Sequence, residues 1–349
     1  MSNVPTALRV SPDSGVHWTE PGAWAVSPGV YRIPLPLPMD GLRAVNVYAI
    51  ETPGGLTLID GGWAIQEGRD ALEAGLKQIG YGFGDIRQFL VTHVHRDHYT
   101  LASLLGRELG ATVTVGIGEK PTMDVLASKR EDSVFAAQLT AAGARTFLEA
   151  WSVVPEHRPQ ELGEWSYPDA WIEDDRSFTV GDRTIDAVST PGHTQGHVVF
   201  ADKAAGVLFA GDHVLPTITP SIGFEPAPAE QPLGDFMASL TKVRSLPDLQ
   251  LLPAHGPVWM SSHERVDQLL EHHEHRLQEA LDSLEEGPKT AFQVAHDVPW
   301  TRHAHHFTKL DEFDGAMAAM ETKAHLELLV ARGQATREVT ADGVVFTRI

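Results

Sequence analysis

The sequence contains no cysteine in 349 residues, which excludes disulfides, thiolate metal ligands and a cysteine nucleophile. It has no apolar run approaching the roughly 18–20 residues that a membrane-spanning helix needs. A mean hydropathy of −0.16 with 42% apolar residues is that of an ordinary globular chain. The first residues, MSNVPTALRVSPDSG, lack a basic segment followed by an apolar one. No secretory signal is therefore read, and the cytoplasm is the expected location. Basic residues are scarce: 27 Lys and Arg stand against 47 Asp and Glu, a net charge of −20 with His neutral. That balance weighs against nucleic-acid binding, which needs basic patches. A Gly-x-Ser-x-Gly nucleophile elbow is also missing. Any metal must be held by His, Asp or Glu, on a chain long enough for one large domain and a smaller one.

Histidine is plentiful, with 18 in the chain. The densest stretch is Thr92-His93-Val94-His95-Arg96-Asp97-His98, which follows an apolar, partly β-branched run (Ile86, Phe89, Leu90, Val91) that reads as a buried strand. The imidazoles and the carboxylate thus sit where a strand ends, a place both rigid and open. Left unpaired they are costly; together they suit a borderline-soft cation such as zinc. A solvated His-rich loop is the alternative that the rest of the chain must defeat.

Residues 1–40 are Pro-rich, with one strand expected around Val30–Ile33, and Pro34–Pro38 reading as an edge or linker. Val45–Ile50 and Leu56–Ile59 flank Pro53-Gly54-Gly55 and suggest a hairpin. Asp60-Gly61-Gly62 ends the second strand; Asp60 reads either as a partner holding a metal-binding His or as a turn former. Ile65, Ala71, Leu72, Leu76 and Ile79 approach helical spacing until Gly80, and a second helix should begin beside His98. Strand and helix signals alternate, so the class is α/β. Residues 119–150 look helical, and Trp151, Trp165 and Trp171 follow closely. This insertion reads as a helical excursion packed on its own aromatics, as a cap over an apolar substrate pocket, or as both.

Three further strand ends present ligands in Gly- or Pro-flanked turns: Thr190-Pro191-Gly192-His193-Thr194-Gln195-Gly196-His197, Gly211-Asp212-His213 and Leu252-Pro253-Ala254-His255-Gly256-Pro257. Chance clustering of surface His does not produce that pattern. The set His93-x-His95-x-Asp97-His98, His193, Asp212 and His255 resembles the metallo-β-lactamase fold superfamily over roughly residues 28–260. The resemblance implies a four-layer αββα fold. It also implies a first metal at His93, His95 and His193, a second at Asp97, His98 and His255, and a bridge at Asp212. His95, where an oxidoreductase branch has Glu, resembles the zinc hydrolase pattern, with two Zn2+ per chain; Mn2+ or Fe fits the same donors. His197 and His213 match no ligand position and are assigned to a supporting layer or the surface. Many members carry Gly-Gly just past the last His of the first motif, where this chain has Thr100 and Leu101 after Tyr99. Tyr99 reads as a packing residue or as a hydrogen-bond donor to the substrate oxyanion. Residues 214–233 read as a Pro-rich loop at the pocket mouth.

Beyond the expected catalytic domain (28–260, with the insertion at about 119–175, after an N-terminal extension 1–27), residues 261–349 read as a separate domain. His263–Glu286 places Val266, Leu270, His273, Leu277 and Leu281 on one stripe, leaving His272 and His275 solvated. Shorter and longer helices near Thr290–His296 and Glu312–Ala331 follow, then a hairpin around Asp342-Gly343. Three helices and a hairpin look like a winged helix, an order similar to the lactamase-β-2-like branch, which includes endoribonucleases. Residues 262–349 carry 9 Lys and Arg against 16 Asp and Glu, so no DNA partner is expected; packing or homodimerisation is the reading instead. Arg302-His303-Ala304-His305-His306 lacks a carboxylate and a preceding strand, and reads as a surface loop.

The expected chemistry is hydrolysis, with two divalent ions holding a hydroxide at neutral pH and Asp97 orienting that nucleophile and taking its proton. The expected substrate is a small molecule, an ester, thioester or lactone; RNA is the alternative that charge disfavours, and a β-lactam-like amide is a third.

Overall fold

The computed structural model describes residues 17–38, 41–151, 160–163, 165–300 and 306–349. Most of the N-terminal extension and residues 301–305 of the late His cluster lie outside the described residues. The strands are β1 (Trp24–Ser27), β2 (Val30–Pro36), β3 (Ala44–Thr52), β4 (Gly55–Ile59), β5 (Ile86–Leu90), β6 (Thr112–Gly116), β7 (Ala170–Ile172), β8 (Arg176–Val180), β9 (Arg183–Ser189), β10 (Val198–Asp202), β11 (Val207–Gly211), β12 (Gln250–Pro253), β13 (Lys289–Thr290), β14 (Ala335–Thr340) and β15 (Gly343–Arg348). The helices are α1 (Gln66–Gln78), α2 (Arg96–Leu109), α3 (Lys120–Ala127), α4 (Glu131–Ala141), α5 (Leu148–Trp151), α6 (Pro232–Arg244), α7 (Ser262–Ser283), α8 (Ala291–Asp297) and α9 (Glu312–Ala331).

β1 to β7 form one sheet in sequence order, antiparallel up to β4 and parallel from β4 onward. A second sheet runs β12-β11-β10-β9-β8. Side-chain alternation builds the layers. On β10 and β11, Val198, Phe200, Val207 and Phe209 point between the sheets, against Val30, Tyr48, Ile59 and Leu90. Their neighbours Val199, Ala201, Leu208 and Ala210 point outward onto α6, α7 and α9. The outer face of the first sheet is covered by α1 and α2 through Leu72, Leu76, Leu101 and Leu105. This is the four-layer arrangement, and it buries β3 on both faces from Ala44 to Ile50.

The hairpin at Pro53-Gly54-Gly55 forms, with Thr52 opposite Gly55. β2 extends further than expected: Pro34, Leu35 and Pro36 pair with Asn46, Val45 and Ala44. The prolines are tolerated because β1 pairs β2 only as far as Arg32, so their missing N–H groups face an uncovered edge. α6 begins at Pro232 inside the stretch read as a loop; proline at a first helical turn gives up only an N–H that has no intrahelical partner. β7, also unexpected, pairs as the edge strand beside β6. At the C-terminus, β13 joins the expected hairpin in a small sheet ordered β13-β15-β14. Ala291, Val294, Ala319, Leu329 and Phe346 there belong to the same continuous core as α6 and the outer face of the second sheet.

Aromatic side chains of the insertion reach beyond it. Phe147 meets Phe292 and Phe307 of the C-terminal segment, and Phe135 stacks on Phe224 at 4.8 Å between ring centres. Among its tryptophans, Trp165 stacks on Tyr99 and Trp171 meets Tyr167 edge-on; the side chain of Trp151 lies outside the described residues.

Candidate metal centre

Each site residue stands just past a strand end or in a first helical turn. β5 delivers Thr92 to His95; α2 then starts, with Asp97 and His98 in its first turn, where the helix dipole favours a carboxylate. β9 and β10 bracket His193, β11 ends at Gly211 before Asp212, and β12 leads into His255. Gly211 is obligatory: φ is +51°, and a Cβ there would lie 2.6 Å from His197 Nε2 and 2.7 Å from Thr92 Cβ. Gly61 likewise lets the β4 exit touch α2, since a Cβ would fall 2.5 Å from the Ala102 backbone nitrogen.

The seven residues converge in two groups. One ligand atom from each of His93, His95, His193 and Asp212 lies within 4.8 Å of the others, and the same holds for Asp97, His98 and His255. Asp212 joins the groups: Oδ2 is 3.6 Å from His193 Nε2, while Oδ1 is 3.3 Å from His255 Nε2 and 3.6 Å from His98 Nε2. Asp97 Oδ2 lies 3.4 Å from His255 Nε2.

The outward nitrogens fix the tautomers. His193 Nδ1 donates to Ser221 O at 2.8 Å, His255 Nδ1 to Ala44 O at 2.7 Å and His98 Nδ1 to Asp60 Oδ2 at 2.9 Å. A carbonyl only accepts, so Nδ1 carries a hydrogen in both rings, and in the neutral form, the one that can ligate a cation, Nε2 of His193 and of His255 turns a lone pair inward. His193 Nε2 then faces His95 Nδ1 at 3.0 Å. His93 Nε2, His98 Nε2, His255 Nε2 and Asp212 Oδ1 are buried without a hydrogen-bond partner among the described residues. Buried polar atoms are rarely left so, and inward-facing nitrogens and carboxylate oxygens at these separations are the donor set of a divalent cation. The residues present therefore fit two cations of the zinc type.

The electrostatics divide the groups. Burial first, then the neighbouring imidazoles, hold His93 and His95 well below the ordinary histidine value, so both are neutral donors. Burial opposes protonation of His98 too, but Asp97, Asp212 and Asp60 outweigh it and push the imidazole up to about 10; His255 is raised against burial by Asp212 and Asp97. Burial disfavours the Asp97 carboxylate, yet His98 and His255 overcome it and hold its pKa far down. The second group thus has a strong appetite for positive charge.

Asp60 also takes hydrogen bonds on Oδ1 from the backbone N–H (2.7 Å) and hydroxyl (3.0 Å) of Thr92, and its own φ is +61°. Its contacts therefore join the candidate ligand His98 to the end of β5, from a backbone conformation that suits a turn. Tyr99 is fully buried, donates to Ser166 O at 2.6 Å and stacks on Trp165, which are packing contacts. His197 and His213 are not on the surface but fully buried; His197 Nε2 accepts from the Asp212 backbone N–H at 3.2 Å. His273 is buried on α7, with His272 half-buried and His275 exposed.

Two residues escaped sequence reasoning. Glu119, fully buried, accepts from Thr194 Oγ1 in the loop of His193, and the backbone N–H groups of Val94 and Gly196 favour its charged form against burial. Burial raises its pKa and that of neighbouring Glu225. Asn46 stands in the middle of β3, and its only sequence signal is a polar residue inside an apolar run.

Residues 40–255 match the sequence model of the metallo-beta-lactamase superfamily. The probable metallo-hydrolase YqjP of Bacillus subtilis is 24% identical over 335 residues, covering 90% of this chain and 96% of that one. The beta-lactamase-like protein 2 homolog of Caenorhabditis elegans is 30% identical over 135 residues, 37% of this chain and 43% of its own length. The crystal structure of a metallo-beta-lactamase family protein from Thermus thermophilus superimposes with a TM-score of 0.75 at 29% identity, over 93% of this chain and all of that one. Fold, strand-end donor geometry and these likenesses agree: the chain belongs to the metallo-beta-lactamase superfamily of metallo-hydrolases.

Proposed function

We propose that the protein is a dinuclear zinc-dependent hydrolase acting on a carboxylic ester, thioester or lactone of a small cytoplasmic molecule. The single observation that carries the two-cation part is Asp212, whose two oxygens face different histidine groups. Bound zinc would supply Lewis acidity, lowering the pKa of water and polarising an acyl oxygen. The protein's own part is then positional. His93, His95 and His193, kept neutral chiefly by burial, would hold one cation, and Asp97, His98 and His255 the other. Asp97 is half-buried, charged, and the group that orients the attacking water and receives its proton.

Arg96 favours a substrate bearing negative charge. It is exposed between ligands His95 and Asp97, its guanidinium lies over Trp63 at 5.4 Å, and no carboxylate among the described residues pairs with it. The same cation supports the second reading, a metal-dependent endoribonuclease, against which the net charge of −20 counts. Purified protein loaded with zinc and offered thioester, ester, lactone, β-lactam and RNA substrates separates the readings. Ester or thioester turnover lost in Asp97→Asn is expected; RNA cleavage without ester turnover overturns the proposal. Mass spectrometry of the loaded protein should find two ions per chain, and a single ion overturns the dinuclear reading.

A further inference from the structure

Arg32 is a fully buried guanidinium between the sheets, with Nε and Nη2 lacking any partner among the described residues. Its Nη1 donates to the Trp18 carbonyl at 2.6 Å and to Asn46 Oδ1 at 2.8 Å. Stranding a charge this way is unfavourable, so its purpose is to be sought in what it holds.

Asn46 holds the turn that carries His255. Its backbone N–H donates to Ala254 O at 2.7 Å, and Nδ2 donates to Pro253 O and Gly256 O, each at 3.0 Å. Three carbonyls around His255 thus end on one residue. Two positions back on β3, Ala44 O receives His255 Nδ1–H, which leaves Nε2 facing Asp212 and Asp97. The amide works in one orientation only: flipped, its oxygen would confront two carbonyls. Arg32 has no acceptor, so it can face Oδ1 alone and locks the amide in the productive sense. Among the described residues the chain of contacts reaches His255 but neither His93, His95 nor His193.

We infer that Asn46, oriented by the buried Arg32, is the positioning residue for His255 and sets the affinity of the second cation subsite independently of the first. The inference rests on the two-cation reading above. Partners that orient a metal-binding histidine are typically worth about 10- to 100-fold in metal affinity.

The test is stepwise zinc titration of the full-length zinc-free protein against a chromophoric chelator, with melting temperature measured alongside. Wild type should show two steps. Asn46→Leu should weaken the second by about 10-fold or more with the first unchanged. Arg32→Met, which leaves Asn46 in place but free to flip, should weaken the same step by less. Tyr48→Phe serves as control: it removes a 2.7 Å bond to the same Pro253 carbonyl but not the amide, and should leave both steps near wild type. If Asn46→Leu does not fold, Arg32→Met decides. An unmoved second step, or both steps falling together as expected of general destabilisation, overturns the inference. A wild type with a single step overturns the two-cation reading itself, and the inference with it.

Discussion

His98 Nδ1 donates to Asp60 Oδ2 at 2.9 Å, with both side chains buried. That bond points His98 Nε2 toward Asp97 and Asp212, each 3.6 Å away. The residue that ends β4 therefore aims a candidate ligand carried by α2, and the same carboxylate grips Thr92 at the end of β5.

Replacing Asp60 by Asn keeps the shape but weakens the acceptor and removes a charge beside His98. Zinc binding at the second subsite should fall by about 10- to 100-fold, measured by competition with a chelator. Unchanged affinity would show that Asp60 serves the turn alone.

Tyr99→Phe separates packing from chemistry. Loss of the bond to Ser166 O should reduce stability by about 1 kcal/mol in urea denaturation and leave kcat unaltered. A hydroxyl that served an oxyanion would instead cost about 10²- to 10³-fold in kcat.

Asp97→Asn removes the proton acceptor while retaining an oxygen near His255. The hydrolytic rate should drop by about 10²- to 10⁴-fold with the circular dichroism spectrum unchanged. Activity within tenfold of wild type would assign the proton to another group.

Glu119 introduces a pH dependence. Burial raises its pKa above the ordinary 4.5, so folding takes up a proton that the unfolded chain releases. The stability it contributes is complete below the unfolded value and is lost as pH rises through the folded one, at up to about 1.4 kcal/mol per pH unit. Glu119→Gln removes this term, so above about pH 5 the zinc-free variant should lose less stability with pH than wild type. Equal slopes in the two urea series would refute a protonated Glu119.

Much of the candidate centre was legible because its His and Asp residues are chemically conspicuous and stand where apolar strand runs stop. His93, His95, Asp97, His98, His193, Asp212 and His255 are short-range patterns of that kind, and the Pro53-Gly54-Gly55 hairpin and α9 are read from equally local signals. α6 was hidden by the prolines before it, and β7 by its length of three residues. Arg32 and Glu119 carried no local pattern, and Asn46 only that of a polar residue in an apolar run; their partners become visible when the chain closes on itself.

The sequence by itself determined the donor types, the α/β class and the exclusion of thiolate chemistry, since these depend on residue identity and on periods of two to four residues. Only the tertiary structure decided which imidazole nitrogen faces inward, that Asp212 divides its oxygens between two groups, and that β3 grips the His255 turn. Those facts depend on contacts such as Asn46 with Gly256, separated by 210 residues along the chain and 3.0 Å in space.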